Sequence, residues 1–98
     1  MTIYIAGPIT GVPDYKRNFN QVENGLLVRG YNVLNPARAL SGLNNAQAMR
    51  ICMDMIDAAD AVLFLPDWEY SLGANLEHSY CEYTEKPIYY NLEEVPNR

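Results

Sequence analysis

Basic residues are scarce in this sequence, histidine is nearly absent, and no long apolar run occurs. Seven lysines and arginines stand against twelve acids in 98 residues, a net charge of −5. A nucleic acid backbone would be repelled on average, and no basic run offsets that, so a nucleic acid polymer is a poor partner. A single phosphate held by backbone N–H groups needs no basic surface, however. The two cysteines, Cys52 and Cys81, form no C-x-x-C pattern and follow no secretory signal, which points to reduced thiols in a cytoplasm. The one histidine, His78, has no cysteine or carboxylate cluster at ligand spacing, so no metal site and no cofactor are expected. The longest apolar stretch, near Ala58 to Pro66, contains Asp60 and is far too short to span a bilayer. Repeats, linkers and low-complexity tracts are lacking too.

What is present is an alternation of strand and helix signals. At 98 residues, 49% of them hydrophobic, the chain is expected to be one domain, residues 1–98, with a single core. Thr2 to Ala6 is β-branched and aromatic and reads as a buried first strand ended by Gly7-Pro8. The loop that follows, Gly7 to Pro13, holds Ile9 and Gly11. It lies at the C-terminal end of its strand, where open α/β sheets bind ligands, which makes Gly7, Ile9 and Gly11 binding candidates. From Asp14 to Arg29, Tyr15, Phe19, Val22 and Leu26 recur at helical spacing, and Gly30 supplies the stop. A second strand is expected over Tyr31 to Asn35, a loop with at most one helical turn over Ala37 to Asn45, and a helix over Ala46 to Ala59. Ala61 to Leu65 is unalternating, as a strand buried on both faces should be. A third helix over Leu72 to Tyr83, a last strand over Ile88 to Tyr90 and a loosely held polar tail complete the reading. The pattern predicts an α/β fold: a three-layer Rossmann-like or flavodoxin-like parallel sheet of four to five strands, with helices on both faces.

The segment with most chemistry is Ser71-Leu72-Gly73-Ala74-Asn75-Leu76-Glu77. Ser71 is a good N-cap, and the N–H groups after it, with the positive end of the helix dipole, favour an anion. Glu77 lies six residues further on, roughly 9 Å along the axis at 1.5 Å per residue, and leans back over a turn that carries only Gly73 and Ala74. A phosphate on the helix tip and a carboxylate one sugar ring away would fit a nucleoside monophosphate. A surface glutamate on a Ser-capped helix is the plain alternative. Trp68 and Tyr70 offer flat faces for a base, or equally a cap on the core or a subunit contact. Asp67 and Glu69, in the loop beside them, are candidate proton donors or ordinary solvated charges. His78 turns away from the face of Glu77 and can pair with Glu82 at the surface or an interface. Eight tyrosines, several near the last helix and strand, suggest an aromatic surface that needs a partner.

Tyr4 in the first strand, the Ala59-Asp60 pair, Ser71-x-Gly73-x-x-x-Glu77 and Lys86-Pro87-Ile88 resemble the nucleoside 2-deoxyribosyltransferase superfamily, in order and over nearly the whole chain. Ala6-Gly7-Pro8-Ile9-Thr10-Gly11, Asn35-Pro36 and Leu65-Pro66-x-Trp68 are similar to the small members of that superfamily common in phage and bacterial genomes. The resemblance implies a glutamate nucleophile at Glu77 that attacks C1′ of the sugar, and a hydroxyl near the sugar from Tyr4. Ser71, where transferases tend to carry aspartate, is similar to the monophosphate N-glycosidases and implies a nucleotide substrate bound by Ser71, Gly73 and Ala74. The resemblance also implies a homodimer or larger homo-oligomer. Two departures stand out. The acid expected eight residues before Asp60 is Cys52, and neither Asp54 nor Asp57 faces as Cys52 does, by rotation of 100° per residue. The serine and arginine of the first loop are replaced by Pro8 and Thr10, so Arg17 or Lys16 is left to substitute. The expectation is an enzyme acting on the N-glycosidic bond of a (deoxy)nucleoside 5′-monophosphate or related nucleotide. A protein that binds and sequesters the nucleotide without turnover, and a structural interaction module, stay open.

Overall fold

The computed structural model describes all residues from Met1 to Arg98. Four strands, β1 (Thr2–Ala6), β2 (Asn32–Leu34), β3 (Ala61–Phe64) and β4 (Ile88–Tyr89), form one sheet in the order β2-β1-β3-β4, with every pair parallel. Three helices connect them: α1 (Tyr15–Val28), α2 (Asn45–Ala58) and α3 (Leu72–Tyr83). This is the expected flavodoxin-like α/β architecture. The chain steps from β1 outward to β2, then returns past β1 to β3, so the direction of winding reverses between β1 and β3. The C-terminal ends of those two strands flank the crevice in which such sheets bind ligands.

The pleat sorts the core into two layers. Ile3 and Ile5 turn to one face, where they pack with Phe19 and Leu26 of α1 and with Ala61 and Leu63 of β3. Tyr4 and Ala6 turn to the other, among Cys52 and Ile56 of α2, Cys81 of α3, and Val62 and Phe64 of β3. Side chains alternate along a strand, so the neighbours Ile3 and Tyr4 must serve opposite layers.

Caps and turns explain the ends of the elements. Asn44 and Gln47 form a reciprocal capping box that starts α2. Gly30, at φ +91°, takes the left-handed conformation after α1. β2 is shorter than the expected Tyr31 to Asn35. Tyr31 N–H closes onto Leu26 of α1, and the side-chain oxygen of Asn35 accepts from Ala37 N–H to start a 3-10 turn at Pro36–Arg38. β4 ends at Tyr89 because Tyr90 N–H donates to the Glu94 carboxylate instead of a strand. At the N-terminal edge of the sheet, Asp60 accepts from Thr2 N–H at 2.8 Å and Lys86 Nζ donates to the Ala59 carbonyl at 2.6 Å. Those two motif positions thus hold strand ends, remote from the crevice.

The tail is not loose, contrary to expectation. Val95 is buried with Phe19 and Leu26, Tyr31 Oη donates to the Pro96 carbonyl at 2.7 Å, and Arg98 N–H donates to the Arg29 carbonyl while its guanidinium lies over the Tyr31 ring. A single buried valine within a polar run carries no periodic signal, so the pattern alone could not show this docking. No helix is long and apolar enough to cross a membrane.

Candidate active site

Tyr4, Cys52 and Glu77 meet beneath the β1/β3 crevice, in the layer between the sheet and helices α2 and α3. Glu77 is only 5% exposed. It faces inward because it lies one turn after Ala74 and one turn before Cys81, the other buried positions of α3, at spacings of three and four residues. Tyr4 Oη donates to Glu77 Oε2 at 2.6 Å, a short bond of the charge-assisted kind that joins the first strand to the third helix.

Burial pushes the Glu77 carboxyl up to about 7, against hydrogen bonds from Tyr4 and the Cys52 thiol that pull it down. Burial and then the Glu77 charge push Cys52 up to about 12 and hold Tyr4 well above its ordinary value. Cys81, behind Glu77, is raised to about 11 for the same two reasons. At neutral pH the thiols and the phenol are therefore neutral, and Glu77 is the one group of the cluster poised to gain or lose a proton.

The tip of α3 is built as the capping pattern indicates. Ser71 Oγ accepts from Ala74 N–H at 3.2 Å, and the Ser71 carbonyl accepts from Asn75 N–H. The Ala74 amide is thus taken up by the cap. The N–H groups of Leu72 and Gly73 make no hydrogen bond within the chain and remain open to an anion. Asn75 was not singled out from the sequence, yet its side-chain amide ties down the approach to the helix by donating to the carbonyls of Glu69 and Ser71 at 2.8 and 2.9 Å.

Met49 of α2 lies beside the first turn of α3. The ε-methyl of Met49, on α2, lies 3.5 Å from where a β-carbon on Gly73 would stand. Met49 and Cys52 are one turn apart on the inner face of α2, so the first lies against the helix tip and the second against Glu77. Met49 lies at helical spacing from Cys52 and Ile56, on one face of α2. What it meets depends on how α2 crosses α3, which spacing does not encode.

The remaining candidates separate. Gly7 is buried against β3, and a β-carbon there would stand 2.8 Å from Leu65 Cβ, so its hydrogen side chain lets the two strand ends approach. Gly11, at φ +78°, serves a turn closed by Val12 N–H to the Ile9 carbonyl, and Ile9 packs into the α1 layer rather than toward Glu77. Arg17 is exposed on α1, and Asp67 is exposed in the loop after β3 at φ +69°. Trp68 does not offer a free face on both sides. His78 stacks on it at 4.0 Å between ring centroids, with Phe64 and Tyr90 alongside. His78 itself is largely covered, its side chain 12% exposed. Its Nε2 is 2.8 Å from Tyr90 Oη and its Nδ1 is 3.5 Å from Glu82. Tyr70 and Leu72, at the helix tip, each expose more than four-fifths of their surface, as does Tyr83 at the opposite end of α3.

The parallel flavodoxin-like sheet with its three helices defines an α/β protein of the deoxyribosyltransferase-like fold. The solved structure of the 2-deoxyribosyltransferase from the psychrotolerant bacterium Bacillus psychrosaccharolyticus superposes with a TM-score of 0.71 at 18% identity, covering 90% of this chain and 69% of that one. The chain belongs to the family described as domain of unknown function DUF4406, whose family model matches residues 1–90. No curated protein matches its sequence.

Proposed function

We propose that the chain acts on the N-glycosidic bond of a nucleotide, with Glu77 as the nucleophile. The observation that supports this most is a buried carboxylate, gripped by Tyr4, on the same helix as two unpaired N–H groups nearer its tip. The Bacillus enzyme, a 2-deoxyribosyltransferase of the same fold, makes a nucleoside-type sugar the natural ligand class. A 5′-phosphate sits on the Leu72 and Gly73 amides, helped by the helix dipole, while Ser71 keeps those amides in place. Met49, a flexible thioether, swings off Gly73 to admit the sugar.

Glu77 must be ionised to attack C1′. As the bond to the base breaks, positive charge builds on the sugar, and the carboxylate stabilises it and then traps it as a glycosyl-enzyme. Water resolves the ester, or a second base does so in transfer. Tyr4 holds one carboxylate oxygen, so the other is the one that attacks. The departing base needs a proton, and neither buried neighbour is acidic enough to give it: Cys52 stands at about 12 and Tyr4 higher than its ordinary value. Solvent water at the mouth, beside the exposed Asp67 and Glu69, delivers the proton. The exposed side of α3, from Tyr70 and Leu72 at its start to Tyr83 at its end, is the surface on which a homo-oligomer forms.

Incubation with a panel of deoxynucleoside 5′-monophosphates and ribonucleotides, with chromatography for free base, tests the reading. Wild type is expected to release base and Glu77→Ala is not. No release by wild type, or equal release by both, removes it. The absence of a second carboxyl beside Glu77 favours one other reading, a nucleotide-binding protein without turnover. Calorimetry that returns tightly bound ligand intact would establish that instead.

A further inference from the structure

We infer that the chain carries a second, separate site for a small phosphorylated anion, on the α1 face of the sheet. A hollow of about 290 Å³ opens there between the first turns of α1 and the 3-10 turn after β2, lined by Lys16, Asn20, Ala37, Arg38 and Ser41. Ala37 belongs to the α1 layer of the core, whereas Tyr4 and Cys52 belong to the opposite layer, so the sheet separates this hollow from Glu77.

Its polar groups are turned so that hydrogens are left over. Asn35, itself buried, donates to Asn20 Oδ1 at 3.1 Å and to Glu23 Oε1 at 2.8 Å. With its oxygen engaged, the Asn20 amide has only its NH₂ corner left to offer. Arg38 uses Nε and Nη2 on Glu23, at 3.0 and 3.2 Å, which leaves both hydrogens of Nη1 free. Lys16 Nζ makes no ion pair, and Ser41 Oγ makes no hydrogen bond. No carboxylate lines the hollow. Four donor groups with spare hydrogens, two of them cationic, suit a ligand that has several acceptor oxygens and negative charge, as a phosphate does.

The chain is acidic, with pI about 4.6 and seven cations in all, yet two of the seven converge here. The buried Asn35, bonded at once to α1 and to the 3-10 turn, fixes the two walls relative to each other, and Glu23 holds the Arg38 fork, so this part of the hollow is in place before any ligand arrives. Glu23 orients the Arg38 fork from behind without entering the hollow.

Amide NMR of the whole chain during titration with inorganic phosphate, at a constant ionic strength of about 0.15 M to screen diffuse attraction, decides it. Saturating shifts are expected at Lys16, Asn20, Arg38 and Ser41, with a midpoint below about 10 mM. Lys16→Ala and Arg38→Gln should each weaken that binding about tenfold, since each removes a charge-assisted donor. Lys16 makes no contact needed for folding, so its variant remains informative if Arg38→Gln loosens the turn. Ser71→Asp, which repels phosphate from the α3 tip, should leave the titration of the hollow unchanged. Shifts confined to Leu72 and Gly73, shifts that grow linearly without saturating, or no shifts at all would each overturn the second site, whatever the outcome at Glu77.

Discussion

Replacing Glu77 by glutamine should make the protein more stable at neutral pH than at pH 4.5, relative to wild type. Burial raises the Glu77 carboxyl from 4.5 to about 7 in the folded state. A raised carboxyl binds its proton more tightly folded than unfolded, so the stability it contributes is full below about pH 4.5 and is lost as pH rises through about 7. Two and a half pH units at 1.36 kcal/mol each come to about 3 kcal/mol as an upper figure. The glutamine of Glu77→Gln would keep the shape and still accept from Tyr4 without that ionisation. Urea denaturation of both proteins between pH 4 and 8 therefore isolates the effect, because all other titrating groups cancel in the difference. The variant is expected to gain up to about 3 kcal/mol on wild type across this range, with the change centred between the two pKa values. A difference that stays constant with pH would refute the account of Glu77 as a carboxyl held out of water. The same titration governs catalysis under the proposed mechanism, for which base release should rise with pH to a plateau above about 7.

Tyr4→Phe leaves the Glu77 carboxylate without its 2.6 Å donor, so stability should fall by about 1–3 kcal/mol in urea melts and base release by about 10²-fold. Ser71→Asp keeps a good helix cap but places a charge where phosphate should sit. Thermal melts should be unchanged within about 0.5 kcal/mol, while calorimetry shows monophosphate binding lost. Gly73→Ala fits the unliganded protein, its methyl only touching Met49 at 3.5 Å, so the variant should fold normally and bind nucleotide poorly in the same assay. Gly7→Ala meets Leu65 Cβ at 2.8 Å and should cost about 1–3 kcal/mol in denaturant melts, with part of the loss restored by Leu65→Ala in the double variant.

Much of the architecture could be read from local pattern, because each element declares itself within a dozen residues. The limits of α3 match the reading residue for residue, since Ser71 supplies a cap and the apolar positions fix the face. β2 and β4 are shorter than expected, as their last residues are drawn into hydrogen bonds with turns that follow them, at Asn35 and Tyr90. The docked tail and the Trp68–His78 stack escape such a reading for a related reason. Val95, Trp68 and His78 find their partners on other elements, and nothing in their own neighbourhood announces where those elements will pass.

The sequence by itself determined the alternating α/β order, the Ser71 cap and the placing of Glu77 on the helix that this cap begins. These follow from the 3.6-residue helical repeat, the two-residue strand repeat and the chemistry of helix ends, all of which act over short stretches of chain. Only the tertiary structure decided that Tyr4 grips Glu77 from 73 residues away, that Cys52 presses on both, and that Met49 covers Gly73. It likewise decided that Lys16, Asn20 and Arg38 open onto one hollow. Those meetings depend on strand order and on the angle at which helices cross the sheet, and on how much water each meeting excludes. Exclusion of water is what turns an ordinary glutamate into one that titrates near neutrality.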